Sequence, residues 1–328
     1  MPNRPLFTLA QTGALFAAST LVAFLCAAPA LAQQDYPNRP IRIIVGPGTD
    51  LLARIAGEKL SEAWGQGVVI DSRPAAGGIV AGDAVAKAAP DGYTLLLSSS
   101  SYTANSLLQA KMPYDILTDL RPVCLLGTIP VVAVVNPALP INNLKDLVAA
   151  AKANPGKLNY ASAGNGTAPH LAAEMFKQQA HVEITHVPYK GAAPAITDVM
   201  GGQVQLMFST APTVISGVQG GKLKAIGVTG ARRFKGLPDV PSASEQGFPD
   251  TAYIAWNGIH APAKTPTAII EKLSAKLVEL MRTPAAIERT EKAGFEAVSL
   301  PTREFEQFQE QDLARLKLII RQSNIKTD

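Results

Sequence analysis

The sequence predicts an α/β fold of two lobes, each a mostly parallel sheet flanked by helices, with two hinge crossings between the lobes. Short apolar runs that are typical of buried strands alternate with segments of helical apolar spacing. Such alternation indicates β-α-β units, which build parallel sheets with helices on both faces. The series occurs twice, and extended runs at 131–135 and 253–259 join the two. We therefore expect one lobe from 36–133 plus 256–328 and the other from 134–255.

The composition fits a folded chain and excludes several classes of protein. Of the 328 residues, 47% are hydrophobic and 17% are charged, and the formal net charge is only +4. Disorder is excluded, because it requires low hydrophobicity and high net charge. No stretch concentrates Lys and Arg, so no nucleic-acid partner is expected. With only two cysteines, the chain is not a disulfide scaffold.

Each element follows from a local pattern. Helix 50–64 carries its apolar residues on one side and ends at Gly65, and the turn at 90–92 is Pro-Asp-Gly, in which Gly accepts a positive φ. We predict strands at 41–45, 68–70, 93–97, 123–126, 131–135, 159–162, 184–187, 204–208, 225–229 and 254–259. We predict helices at 50–64, 78–89, 143–153, 168–180, 192–200, 212–219, 266–282, 284–293 and 303–322.

Residues 1–32 have the pattern of a secretory signal peptide. Arg4 supplies a positive start, residues 14–28 carry no charge, and Ala30-Leu31-Ala32 offers small residues for cleavage before Gln33. A membrane anchor is the alternative, because the uncharged stretch is long enough to span a bilayer. The small-residue site favours cleavage, and hence a periplasmic mature chain.

Loops that follow strands are the candidate functional positions, since ligands of open α/β sheets lie beyond the carboxyl ends of the strands. Three loops stand out, at 46–50, at 98–102 and at 162–167. The third loop combines glycines with the start of a helix, whose unpaired N–H groups favour a carboxylate or phosphate. Its alternative is a plain helix cap, for which Thr167 is suited.

The polar side chains of these loops predict different roles. His170 falls in the first turn of its helix, where the helix dipole disfavours a positive charge. We expect it to be neutral and to donate a hydrogen bond, or else to be a packed or capping histidine. Asp50 suits a helix N-terminus but would repel an anion there. The serine run at 98–102 offers hydroxyls at the end of a strand.

Signatures of catalysis and of metal binding are absent from the sequence. Neither a G-x-S-x-G elbow nor a Walker A loop occurs, and the four histidines lack the spacing of metal ligands. We therefore expect no enzyme activity, no catalytic residue, no metal and no cofactor. A secreted α/β hydrolase that uses Ser162 and His170 stays open as an alternative, although no acidic residue to orient the histidine is in view.

A series of motifs, in order along the chain, resembles one family. The motifs are YPNRPIRIIV at 36–45, GTDLLARI at 48–55, SRPAAGG at 72–78, PDGYTLLL at 90–97, MPYD at 112–115, PGKLNYASAGNGTAPHLAAEMF at 155–176, HVPYKGAAPAITDVMGGQVQLMF at 186–208, GKLKAIGVT at 221–229 and LPDVPSASEQGF at 237–248. They resemble the Bug-type solute receptors of tripartite tricarboxylate transporters. From Lys264 onward only the helical character matches.

The resemblance implies a type II-like periplasmic-binding-protein fold that closes, like a Venus flytrap, on a small organic carboxylate. It implies a monomeric receptor that delivers its ligand to membrane transporter subunits, or alternatively signals to the sensor kinase of a two-component system. Ligand contacts are implied for matched loop residues, namely Gly48, Thr49, Asp50, Ser98, Ser99, Tyr102, Ala163, Gly164, Asn165, Thr167, His170, Tyr189 and Ser209.

The chain departs from the family pattern at two places. Ser209 stands where many relatives have Asp, so a ligand that carries an amine is less favoured. The first loop, 46–50, is several residues shorter than the P-F-x-P-G-G-G-T-D form of the relatives. Part of the carboxylate cradle is then missing, which implies a weaker affinity or a larger ligand.

We expect the secreted protein to begin at Gln33, because the small residues before it form the cleavage site. Intact-mass measurement of protein from the periplasm of a Gram-negative host tests this expectation. An Ala32→Phe variant is the control, since a bulky residue at the cleavage site should leave the segment attached. A native product that retains residues 1–32 would contradict the prediction.

Overall fold

The computed structural model describes residues 36–46, 49–73, 78–109, 111–251 and 253–323. The predicted signal peptide and the candidate contact Gly48 lie outside the described residues. Residues 36–39 form a short irregular stretch, and the chain from Pro40 onward is one compact unit that carries all the helices and strands described below.

Strands and helices alternate along that unit. The described strands are β1 (Ile41–Val45), β2 (Val68–Ser72), β3 (Thr94–Ser99), β4 (Leu120–Val135), β5 (Asn159–Ser162), β6 (Thr185–Pro188), β7 (Leu206–Thr210), β8 (Lys224–Val228), β9 (Ile254–Pro262) and β10 (Glu296–Pro301). The described helices are α1 (Leu51–Trp64), α2 (Ile79–Ala86), α3 (Ser100–Leu108), α4 (Leu144–Ala153), α5 (Ala168–Ala180), α6 (Ala192–Met200), α7 (Ala211–Gln219), α8 (Thr267–Met281), α9 (Pro284–Lys292) and α10 (Thr302–Ser323).

Three elements differ from the sequence-based prediction. The runs 123–126 and 131–135 belong to one strand, β4, because register shifts near Pro122 and Gly127 absorb the residues that suggested a break. The serine run continues into α3, which has too few apolar residues to give a helical pattern. β10, between two helices, was not predicted, and it pairs antiparallel with β4.

The strands form one mixed sheet in the order β2-β1-β3-β9-β4-β7-β5-β6, and β8 and β10 also pair with β4. Two sets of strands pair in parallel, β1 with β2 and β3, and β5 with β6 and β7. The prediction of parallel sheets holds for these strands. Every pair that involves β4 or β9 is antiparallel, so the sheet as a whole is mixed.

The strands β3 and β7, each followed by a helix, run in opposite directions and end near the middle of β4. Because β3 is antiparallel to β9 and β9 to β4, β3 runs with β4, whereas β7 runs against it. Ser99, at the end of β3, lies opposite Asn257, which lies opposite Gly127, while Thr210, at the end of β7, lies opposite Val131. The carboxyl ends of the two sets of strands therefore meet within a few residues of β4, roughly 14 Å along the strand.

A buried threonine, Thr229, follows β8 and is hydrogen-bonded both to β4 and to the residue before β9. The Thr229 N–H donates to the carbonyl oxygen of Val131 at 2.7 Å, and its hydroxyl donates to the carbonyl oxygen of Tyr253 at 2.7 Å. Residues 120–130 of β4 pair with β9, and residues 131–135 pair with β7 and β8. The lobe boundaries at 133/134 and 255/256 stay a prediction.

Apolar side chains cover both sets of strands. One cluster packs α2 and α3 against β1 and β3, and another packs α6 and α7 against β4 and β7. Members of the first are Ile44, Val85, Leu96 and Tyr102, and members of the second are Val132, Val199, Met207 and Val214. The helices are thus held by buried apolar area, at about 25 cal/mol per Å².

His260 of β9 is fully buried between β3 and α10. Its Nδ1 lies 2.7 Å from the Ser98 hydroxyl and its Nε2 lies 3.3 Å from Oε1 of Gln309. The Ser98 hydroxyl also lies 3.0 Å from the carbonyl oxygen of Gly258. Burial lowers the pKa of His260 to about 4, because a charged imidazole would lose its hydration there.

We predict that this histidine makes stability fall as the pH falls from about 6.5 to about 4. The unfolded chain takes up the proton at about pH 6.5, whereas the folded chain takes it up only at about pH 4. The loss amounts to about 3 kcal/mol. Denaturant titrations at several pH values should show this slope in the native protein and a smaller slope in His260→Gln.

Asp312 adds a contribution of opposite sign to the pH dependence of stability. Burial raises its pKa to about 6, so its contribution to stability is lost as the pH rises through 6, with the opposite sign. It is present in both proteins and cancels in the comparison. Equal slopes in the native protein and the variant would contradict the assignment to His260.

Candidate ligand-binding cleft

A cavity of about 130 Å³ lies where the carboxyl ends of the two sets of strands meet. Its floor comes from β4 and β9, through Ile129, Ala255, Trp256 and Asn257. One wall contains Gly46 and Thr49, before α1, and residues 99–102, at the start of α3. The other wall contains residues 167–169, at the start of α5, and Thr210, before α7.

Residues at or just before the N-termini of four helices, α1, α3, α5 and α7, therefore line one cavity. The N–H groups of a first helical turn have no partner within the helix, and the aligned peptide dipoles add a partial positive charge. No Lys, Arg, His, Asp or Glu side chain is among the described residues that line the cavity. Helix N-termini of this kind favour an anion.

α5 and α7 begin in the same way. Each follows a threonine in extended conformation, Thr167 or Thr210, and each has a proline at its second position. The Thr167 hydroxyl donates to the carbonyl oxygen of Gly164 at 2.8 Å, and the hydroxyl oxygens of Thr210 and Thr213 are 2.7 Å apart. Neither threonine side chain caps its own helix. The remaining first-turn N–H groups are therefore left for water or a ligand.

The wall at the start of α3 contains a buried phenol. Tyr102 is only 3% exposed, and its hydroxyl makes no hydrogen bond. Burial, and secondarily the neighbouring Tyr114, raise the pKa of Tyr102, while the nearby N–H of Gly46 opposes that rise without meeting hydrogen-bond geometry. The neutral phenol is therefore a hydrogen-bond donor at the edge of the cavity.

The structure brings four of the candidate contacts together in the cavity lining and leaves most of the others outside it. Those in the lining are Thr49, Ser99, Tyr102 and Thr167. Described candidates that are not in the lining are Asp50, Ser98, Ala163, Gly164, Asn165, His170, Tyr189 and Ser209. Contact of these residues with a ligand stays a prediction.

The pleat of the strands explains why two of these candidates, Ser98 and Ser209, do not line the cavity. Ser98 and Ser209 are 0% and 1% exposed, and each lies one residue before a residue of the cavity wall, Ser99 or Thr210. Successive side chains of a strand point to opposite faces. Ser98 instead contacts His260, and neither serine lines the cavity.

Two further candidates are held by side-chain partners outside the cavity. The Asp50 carboxylate pairs with Arg54 one turn along α1, at 2.6 Å, and Asp50 is not among the lining residues. The Tyr189 hydroxyl donates to Asp198 at 2.6 Å. Lys190, next to it, is exposed and is not among the lining residues.

His170 lies behind the loop that precedes α5. Its Nδ1 accepts a hydrogen bond from the N–H of Gly166 at 3.0 Å, and its ring stacks on His186 at 4.2 Å. Burial is the main cause that lowers the pKa of His170, in agreement with the neutral state predicted from the helix dipole.

The candidate pair Ser162 and His170 is not formed. The Ser162 hydroxyl lies 2.7 Å from Nε2 of His186, and Ser162 is fully buried. The strand pairing explains this, because β5 and β6 are parallel neighbours and His186 stands opposite Tyr160. A hydrolase built on Ser162 and His170 is therefore not supported.

The floor of the cavity was not predicted from the sequence. Its polar residue is Asn257, whose amide donates to the carbonyl oxygen of Ser98 at 3.1 Å, whereas Thr210 follows directly after the candidate Ser209. A polar side chain within the apolar run of β9 was the available signal for Asn257. Gly46 and Ser100 border the same cavity and follow from the ends of β1 and β3.

The described residues contain no group of three or more His, Cys, Asp or Glu side chains placed to hold a metal ion. Among the same residues, no helix is both long enough and apolar enough to span a bilayer.

The model of the tripartite tricarboxylate transporter family receptor matches residues 52–325. The chain belongs to this family. Protein BugT of Bordetella pertussis is 35% identical over 306 residues, which cover 92% of this chain and 94% of BugT. Among solved structures, Rpa4515 of R. palustris with adipate has a TM-score of 0.83 at 31% identity, and the match covers 89% of this chain and 99% of that one. The periplasmic binding protein BugD has a TM-score of 0.79 at 30% identity, with 89% and 100% covered.

This membership confirms the family resemblance and the predicted two-lobed periplasmic-binding-protein fold. The family and these structural neighbours are binding proteins rather than enzymes. The chain is accordingly a solute-binding receptor of the tripartite tricarboxylate transporter family.

We predict that Gly46→Ala destabilises the protein by about 1–3 kcal/mol, the usual cost of overpacking. A Cβ at Gly46 would overlap the Tyr102 hydroxyl and approach the backbone of Gly78. Adding Tyr102→Phe to the variant should recover part of the loss, since the hydroxyl is then gone. Gly67→Ala is the control, because a Cβ there meets its nearest atom at 4.0 Å. Additive effects of the two substitutions, measured by denaturant titration, would contradict the contact.

Proposed function

We propose that this receptor binds a small carboxylate in the cavity between the starts of α1, α3, α5 and α7. The single observation that carries the proposal is the convergence of four helix N-termini on a cavity whose described lining has no charged side chain. A carboxylate there accepts hydrogen bonds from backbone N–H groups and hydroxyls, and each charge-assisted bond contributes about 1.5–3 kcal/mol.

The structure of Rpa4515 with adipate supports the proposed class of ligand. Adipate has two carboxylates, and in this chain both walls of the cavity offer helix N-termini. An ammonium group would find no acidic partner among the described lining residues. We therefore expect ligands without an amine.

We further propose that the receptor works in the periplasm, after cleavage before Gln33, as a monomer without catalytic activity. Its partners would be the membrane subunits of a tripartite transporter, in keeping with the family description. A sensor kinase is the alternative partner, and no feature of the cavity favours it. A catalytic role for Ser162 is disfavoured by its complete burial.

Calorimetry with the mature chain tests the proposed ligand. We expect binding of adipate or succinate, weaker binding of butyrate, and no detectable binding of 1,6-diaminohexane, because only anions gain from the helix N-termini. Tight binding of the diamine, or no binding of any carboxylate across a broad panel, would contradict the proposal.

Two substitutions in the walls should weaken carboxylate binding without unfolding the protein. Ser99→Ala and Thr210→Val remove one hydroxyl each and nearly preserve shape, and each should cost about tenfold to a hundredfold in affinity. Thr197→Val is the matched control, since Thr197 is exposed on α6, outside the cavity lining. Unchanged affinity in both wall variants would place the ligand elsewhere.

A further inference from the structure

Three rings stack beneath the loop that carries Thr167 to the cavity. The ring of Tyr160 lies 4.7 Å from that of His186 at 16°, and His186 lies 4.2 Å from His170 at 11°. The rings come from β5, β6 and α5, so the stack joins two strands to the helix that starts at the cavity. Of these residues, none lines the cavity.

Two rings of the stack, His170 and His186, are connected by hydrogen bonds to the backbone of the loop. His170 Nδ1 accepts from the Gly166 N–H at 3.0 Å. His186 Nε2 lies 2.7 Å from the Ser162 hydroxyl, which accepts at 3.2 Å from the N–H of Gly164. Thr167, which lines the cavity, then donates its hydroxyl to the carbonyl oxygen of Gly164. Both glycines between these bonds have positive φ, 133° and 69°, so the loop needs external support for its shape.

We propose that His170 and His186 are positioning residues, which hold the 163–167 loop in its ligand-binding shape while both imidazoles are neutral. The inference rests on the proposed function of the cavity. It assigns the buried Ser–His hydrogen bond a supporting role, and it assigns His170 an action through Gly166 rather than through contact with the carboxylate.

The neutral state follows from the geometry of the hydrogen bond. Since the Gly166 N–H points at Nδ1, a proton on Nδ1 would set two donors against each other and break the bond. A positive charge on one ring would also lie about 4.2 Å from the centroid of the other ring, where it would oppose a second positive charge. Loop support is therefore lost when His170 is protonated.

The charged groups around the stack do not outweigh burial, which keeps both histidines neutral. Glu174 and Lys177 of α5 act on both histidines, and they pair with each other at 2.7 Å. The Glu174 carboxylate also accepts from the Tyr160 hydroxyl at 2.6 Å. Burial is the largest influence on either histidine, and it lowers both pKa values, that of His186 to about 4.

Two substitutions of His170 separate loop support from packing. In His170→Asn, the amide oxygen takes the place of Nδ1 and still accepts from Gly166. In His170→Phe, the ring and the stack remain but the acceptor is lost. His186→Ala removes both the ring that supports His170 and the bond to Ser162.

The first readout is independent of any ligand. Amide hydrogen exchange at Gly166, followed by NMR in the free full-length mature protein, should accelerate at least threefold in His170→Phe and in His186→Ala, as expected for the loss of about one hydrogen bond. It should stay near the native rate in His170→Asn. Equal protection of Gly166 in the native protein and His170→Phe would overturn the inference.

The second readout is the affinity for adipate and succinate at several pH values. At pH 7 we expect His170→Phe to bind about tenfold more weakly and His170→Asn to bind within about threefold of the native protein. As the pH falls toward 4, the native protein should lose affinity relative to His170→Asn, because only the native protein can be protonated at residue 170. Protonation of the carboxylate itself cancels in that ratio.

The outcomes distinguish this inference from the proposed function. Failure of every carboxylate to bind the native protein overturns the proposed function, while Gly166 protection still tests the loop support. Native binding with a pH-independent ratio and an undiminished affinity in His170→Phe overturns the inference and leaves the proposed function intact. A merely structural role would lower the melting temperature of His170→Phe without changing that ratio, and this result also counts against the inference.

Discussion

The pairing register of β4 is the constraint on which the rest of the structure depends. Its first part pairs with β9 and its last part with β7 and β8, so strands that run in opposite directions end near the same point. A shift of one residue in either register would turn every side chain of the shifted strand to the other face. The position of Ser99 against Gly127, through Asn257, and of Thr210 against Val131 therefore fixes where the cavity forms.

The chemistry of the cavity follows from this meeting of strand ends. β3 and β7 lead directly into helices, and β1 and β5 do so after loops of five residues; residues at or just before the four helix N-termini line the cavity. In the proposed binding mode, backbone N–H groups that are fixed by the helices bind the anion without the loss of side-chain entropy that a lysine or arginine would incur. An uncharged lining also spares the free receptor an unpaired buried charge, which would be costly.

Much of this arrangement could be predicted from the sequence, for identifiable reasons. The helix 168–180 was predicted with its exact bounds because Thr167, Pro169 and the apolar spacing agree. The same alternation of strands and helices gave the fold class. α3 could not be found, because its start is a run of serines without apolar periodicity, although the loop 98–102 that contains Ser100 was predicted as a candidate site.

Side-chain direction was the part that sequence reasoning could not supply. Ser98 and Ser99 are neighbours of the same type, yet only Ser99 lines the cavity, since the pleat alternates. The partner of Ser162 depends on the pairing of β5 with β6, which brings His186 rather than His170 to its hydroxyl. Such contacts join residues far apart in the chain and have no local signature.

The central claim is that backbone N–H groups at helix starts, rather than a cationic side chain, hold the carboxylate. The most direct measurement is the amide proton shift of Ser101, Ala168 and Ala211 as adipate is added to the isotope-labelled mature protein. The account predicts downfield shifts at amides from both walls that saturate together, with little change at the side-chain resonances of Lys190. Saturable adipate binding that leaves these three amides unmoved and shifts Lys or Arg side-chain signals instead would contradict it.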